Sequence, residues 1–123
     1  MKMQGEFAAN GMVSVWIGNF SSEAEFDVYM NLDRDFERDF GFKIDDRSVR
    51  EGAVENQATP IDRLLVGFSN WNSFAPAVIQ ACQDLGHPRA TTIIIFYTMA
   101  FKPSEVTINP RARLTFVGAF RFA

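Results

Sequence analysis

One histidine, one cysteine and a run of acids between Asp33 and Glu55 are the side chains with which this 123-residue chain could do chemistry. His87 stands between Gly86 and Pro88, a helix-stop context where an imidazole caps the last carbonyls or faces water. Cys82 falls on the apolar stripe of a helix, so it reads as a buried, inert thiol with no second histidine to serve as its base. Asp45, Asp46 and Glu51 are oxygen donors of the type that hold Mg²⁺ or Ca²⁺. The Asp-x-Asp-x-Asp-Gly calcium pattern is absent, however, and Lys43, Arg47 and Arg50 interrupt the run and oppose a cation. Two further readings of these acids stay open: a solvated loop and an acidic recognition surface. We expect no catalytic residue, no metal and no cofactor.

Two aromatic segments also bear on function. Trp16-Ile17-Gly18-Asn19-Phe20 follows a strand and precedes a helix, where a phosphate loop would sit. It carries a single glycine and no Gly-Lys-Ser/Thr, so a tight strand-to-helix turn is the reading. Trp71, between two helices, is either a lid over the core or an exposed anchor for a partner, since Trp is enriched at binding hot spots.

The elements that must position these residues belong to one domain, 1–123, with residues 1–11 expected to fray. The apolar fraction is 47%, including thirteen Phe and two Trp, which is ample for a core without disulfides. Residues 1–62 hold thirteen acids against six Lys/Arg, giving −7; residues 63–123 hold two against six, giving +4. An acidic half argues against a nucleic-acid footprint and suits a basic protein partner. The apolar run around Ile93–Tyr97 is about half the roughly 20 residues that a bilayer helix needs. The start resembles no secretory signal. The expectation is a cytoplasmic protein with no membrane contact.

Met12–Gly18 alternates as a strand, with Val13, Val15 and Ile17 on one face. Ser22 and Glu25 form a capping box, and Phe26, Tyr29 and Met30 continue a helical stripe. Leu32, Phe36 and Phe40 suggest a second short helix stopped by Gly41. Residues 43–58 read as loop with, at most, a short edge strand. Thr59-Pro60 opens a helical turn ending at Gly67, and Ser73 caps a longer helix carrying Phe74, Val78, Ala81, Cys82 and Leu85. Thr91–Phe101 is apolar on both faces, as a covered central strand is. Leu114, Phe116, Phe120 and Phe122 mark the last strand. The fold class is α/β (α+β): a small layered domain with a mixed sheet of three to five strands and helices packed on it. The first strand and the Thr91 strand are expected to be parallel, and the last two strands to form an antiparallel pair.

Taken together, Val13-Ser14-Val15-Trp16-Ile17-Gly18-Asn19-Phe20, Ser22-Glu23-x-Glu25-Phe26, Asp39-Phe40-Gly41-Phe42, Leu64-Leu65-x-Gly67-Phe68-Ser69 with Phe74, and the Ile93–Tyr97 strand resemble the bacterial immunity protein 22 family of polymorphic toxin systems. The chain departs from the compact acidic cluster of that family, because arginines break its Asp45–Glu51 segment. The resemblance implies a non-enzymatic cytoplasmic antidote that binds and blocks a cognate toxin domain, often a nuclease. Charge complementarity would then place a basic toxin against Asp33, Asp35, Asp39, Asp45, Asp46 and Glu51, with Trp71 as an anchor. A small metal-dependent or ligand-binding enzyme and a self-associating scaffold, paired through Phe120-Arg121-Phe122, are the competing readings.

Overall fold

A computed structural model describes residues 1–122. Its main sheet has four strands in the order β4-β5-β2-β6, where β2 is Ala8–Gly18, β4 Arg50–Pro60, β5 Arg89–Met99 and β6 Leu114–Arg121. All three pairings are antiparallel. A separate pair, β1 (Lys2–Met3) and β3 (Phe42–Lys43), is parallel.

The expected parallel pairing of the first strand with the Thr91 strand is therefore overturned. So is the pairing of the last two strands: β6 lies against β2 on the side away from β5. The first error originates in β4: a strand read as loop removes one reversal of chain direction between β2 and β5. The last strand keeps its expected sense, antiparallel to β2, and only its neighbour differs. The β4 sequence, Arg50-Glu51-Gly52-Ala53-Val54-Glu55-Asn56-Gln57-Ala58-Thr59-Pro60, has little apolar content because an edge strand buries little. Its backbone ladder with β5, such as Gly52 opposite Ile94, supplies the pairing that side chains do not advertise.

Helices cover both faces of the sheet. On one face, α1 (Glu23–Asp27), a π turn (Val28–Leu32) and α2 (Asp35–Phe40) close over Trp16. Trp16 is fully buried among Phe36, Phe40, Phe42, Phe96, Phe101 and Phe116, with ring centroids 4.9–6.3 Å away. On the other face, α3 (Ile61–Leu65) and α4 (Trp71–Asp84) pack Leu64, Leu65, Phe74, Val78 and Cys82 on Val13, Val15, Ile17, Ile93 and Ile95. The period-2 alternation of β2 and the two-faced apolarity of β5 thus serve two cores.

Residues 1–11 are structured rather than frayed. Phe7 is 1% exposed, its ring between Phe42 (5.7 Å) and Phe101 (5.3 Å). The Asn10-Gly11 signal marks an irregularity within β2, with Gly11 at φ +73° and its carbonyl accepting from the Phe122 amide. Ser22 caps α1 as expected, its Oγ accepting from the Glu25 amide at 3.1 Å. Only half of the capping box forms, because the Glu25 carboxylate turns to Arg113 and Ser21. The helix expected to start at Ser73 begins two residues earlier, after Asn70 at φ +58°, and the Ser73 hydroxyl donates to the Asn70 carbonyl.

Candidate functional site

The segment from Asp45 to Glu51 crosses the end of the sheet where β5 finishes. Its anchors are local hydrogen bonds. The Asp45 amide donates to Gln4 Oε1 at 2.9 Å, and the Tyr97 amide donates to the Val49 carbonyl at 2.9 Å. Arg50 Nη1 donates back to Ser48 Oγ at 3.0 Å. Beyond that, Glu51 Oε1 accepts from the Ser69 amide at 2.9 Å, while the Tyr97 hydroxyl donates to the Ser69 carbonyl at 2.7 Å. The peptide that leads into Trp71 and α4 is thereby fixed from both sides. The segment from Asp45 to Glu51 forms a rim at that end of the sheet, with Asp45 and Asp46 near its start and Glu51 at its end, bonded to Ser69 two residues before Trp71.

The helix α2 approaches that rim through Arg34, whereas Asp33 and Asp35 are held by Arg38. Arg34, at φ +55°, donates from Nη2 to Glu37 Oε2 at 2.9 Å and lies 3.9 Å from Asp46 Oδ1. Glu37 Oε2 also accepts from the Ile44 amide at 2.7 Å, tying α2 to the start of the rim segment. Arg38 pairs with the Asp35 carboxylate and donates to the Asp33 carbonyl.

Asp39 is elsewhere. It is 6% exposed, and its carboxylate accepts from the Tyr29 hydroxyl at 2.7 Å, Asn109 Nδ2 at 2.9 Å and the Arg113 amide at 3.3 Å. Those bonds clip the 107–113 loop to α2, so this carboxylate is committed inside the chain. Burial first, then the bond and charge of Asp39, hold the Tyr29 phenol well above its ordinary pKa.

The rim is mixed in charge rather than uniformly acidic. Asp45 has Arg47 at 3.6 Å, Asp46 has Arg34, and Asp35 has Arg38. All are exposed pairs, of a kind worth about 0–1 kcal/mol each, so an incoming cation can replace the internal arginine at little cost. Glu51 keeps its charge more firmly. Desolvation raises its pKa, but the Ser69 amide and the Tyr97 hydroxyl outweigh this and leave it below the ordinary value.

Sequence reasoning missed two features of the rim. Val49 is 64% exposed beside these charges. Thr98 sits at φ +58° within β5, a left-handed conformation that strains a β-branched side chain. No residue pattern signals either. Trp71 is half-buried and packs against the α3/α4 core.

The other chemical candidates resolve into structural roles. Cys82 is fully buried, and burial raises its thiol pKa to about 11. The Gly86-His87 stop forms a Schellman-type end, with the His87 amide bonded to the Cys82 carbonyl at 2.8 Å and Gly86 at φ +80°. Gly18 is not a phosphate glycine: a Cβ there would lie 2.5 Å from Leu114 Cδ2 and 3.0 Å from the Arg113 carbonyl. Phe20 is buried two residues on, under the Arg113 guanidinium at 4.1 Å. Among the described residues no group of three or more His, Cys, Asp or Glu is arranged to hold a metal ion. No described helix is long and apolar enough to cross a membrane.

The fold and site describe a small α+β protein whose accessible features are surfaces. The Immunity protein 22 family matches residues 13–123, and the chain belongs to that family. No curated protein and no solved structure matches it. The Trp-x-Gly-x-Phe and Leu-Leu-x-Gly-Phe-Ser segments that carry the resemblance thus supply core and turns: Trp16, Phe20, Leu64 and Leu65 are buried, and Gly67 is at φ +96°.

Proposed function

We propose that this chain is a non-enzymatic, cytoplasmic antidote of a polymorphic toxin system that binds one cognate toxin domain and blocks it by occlusion. The family match over residues 13–123 carries this reading. The proposed contact is the rim at the end of β5. There Asp35, Asp45 and Asp46 would exchange their exposed arginine partners for cations of a basic toxin, with Asp33 and Glu51 adding negative charge beside them, possession of a nuclease activity being the leading case. Trp71 and Val49 would supply the apolar centre that such contacts need. Asp39 is left out of the contact because its carboxylate is already saturated within the chain.

The physical order of events is steering, then exchange. Net negative charge in the N-terminal half favours encounter with a basic surface, and the mobile exposed pairs then re-form across the interface. The reading is tested by co-expressing the toxin domain encoded beside this gene with and without the chain. Growth rescue by wild type, and its loss in a variant combining Asp45→Asn, Asp46→Asn and Trp71→Ala that still folds, is the expected result. A wild-type chain that neither rescues growth nor forms a one-to-one complex sinks the antidote reading. Added salt should slow association; a rate indifferent to salt removes the steering step alone.

A further inference from the structure

β4 is an edge strand with β5 as its one strand neighbour among the described residues, which leaves the outer hydrogen-bonding groups of residues 50–58 unpaired by any strand. Long edges are normally blunted by lysines, prolines or inward-pointing charges. This one has its proline at the very end and an irregularity between Val54 and Thr59; its regular part, residues 50–54, has a glycine, Gly52, at its centre, followed by the neutral Ala53 and Val54.

Beside that edge runs a groove of about 530 Å³, walled by Glu23, Phe26, Asp27 and Met30 on one side and by Gly52 and Val54 on the other. Gly52 keeps it open: a Cβ there would come within 3.3 Å of Phe26 Cε2. The π turn at Val28–Leu32 forms part of the opposite wall through Met30, and such widened turns recur at binding sites.

The charge of the groove has a definite sign. Among the described residues no cation pairs with Glu23 or Asp27; Asp27 accepts only from Asn31 Nδ2, at 2.7 Å. The one arginine at the groove, Arg50, donates to Ser48 and to the Asp45 carbonyl, toward the rim. Glu25 is taken up by Arg113.

We propose that this groove seats an extended, basic segment of the toxin domain as a fifth strand on β4. Backbone bonds to the β4 edge would hold it, alternate apolar side chains would rest on Phe26, Met30 and Val54, and Lys or Arg would meet Glu23 and Asp27. The proposal rests on the antidote reading, and adds a second contact to the rim together with the conformation of the partner segment.

The test uses the full chain and the toxin domain encoded beside it. Glu23→Lys/Asp27→Lys is compared with Asp62→Lys/Asp84→Lys, which reverses two acids on α3 and α4. The groove reversal should weaken binding at least tenfold while the control stays within twofold of wild type, with melting temperatures confirming that both fold. Hydrogen exchange should show new protection of the 50–57 amides in the complex. Equal Kd values for the two reversals, or unchanged exchange in β4, overturns the proposal while leaving a binding antidote intact. Protection of β4 that rises with protein concentration in the absence of toxin assigns the edge to a second copy and likewise overturns it. If wild type does not bind the toxin at all, the antidote reading itself has failed.

Discussion

Two sets of carboxylates in this chain, of one residue type and a few positions apart, do opposite work. Asp39 is buried and accepts three hydrogen bonds, so it fixes a loop. Asp35, Asp45 and Asp46 are accessible and each has a single arginine beside it. A desolvated acceptor surrounded by donors is costly to remove, because its partners are left buried and unpaired. A solvated ion pair is cheap to break and re-form. Sequence position therefore says little about role; the count of donors and the access of water say nearly everything.

The largest effect should come from removing the buried acceptor. Asp39→Ala is expected to cost about 3 kcal/mol, since it strands the Tyr29 hydroxyl, the Asn109 amide group and the Arg113 amide. Urea unfolding measures this, and a loss under about 1 kcal/mol would erase the distinction between the two sets.

A smaller effect of opposite sign is expected at the rim. Thr98→Gly relieves a left-handed conformation costing about 1–2 kcal/mol, and gives back about 0.5–1 kcal/mol through the greater entropy of the unfolded chain. The free protein should gain about 0.5–1 kcal/mol, read as a higher urea midpoint at unchanged slope. A destabilised variant would mean that Thr98 makes contacts worth more than its strain.

Glu51 lies between the two sets, accessible yet bonded to the Ser69 amide. Its folded-state pKa is lowered from 4.5, so the stability it contributes is present above that value and lost as pH falls through the folded value. Glu51→Gln should be less stable than wild type at pH 7 and should lose less on acidification, the two curves converging at low pH. Parallel curves between pH 7 and pH 3 would show that the Ser69 bond does not discriminate the ionised form.

The smallest effect belongs to the outermost acid. Asp46→Asn, at an ion pair with a side chain 86% exposed, should change stability by less than about 0.5 kcal/mol. The same variant should weaken toxin binding measurably by calorimetry, which sharpens the contrast between a carboxylate kept for folding and one kept for contact. Binding indistinguishable from wild type would remove Asp46 from the contact.

Residue patterns alone decided much of this molecule. Alternation in β2, the doubly apolar β5, the Ser22 cap, the Gly41 and Gly86 stops and the inert Cys82 follow from local periodicity and backbone chemistry, which act within a few residues. The family resemblance was likewise legible in Trp16-x-Gly18-x-Phe20 and Leu64-Leu65-x-Gly67-Phe68-Ser69. What tertiary structure alone decided is non-local. It placed β4 at an edge and so reversed the sense of β5, put Asp39 in the interior and Asp46 outside, and matched Asp35, Asp45 and Asp46 with arginines. Such outcomes depend on which donors, charges and water molecules meet a group in space, and those neighbours come from residues far along the chain, as Arg113 does for Asp39 from 74 positions away.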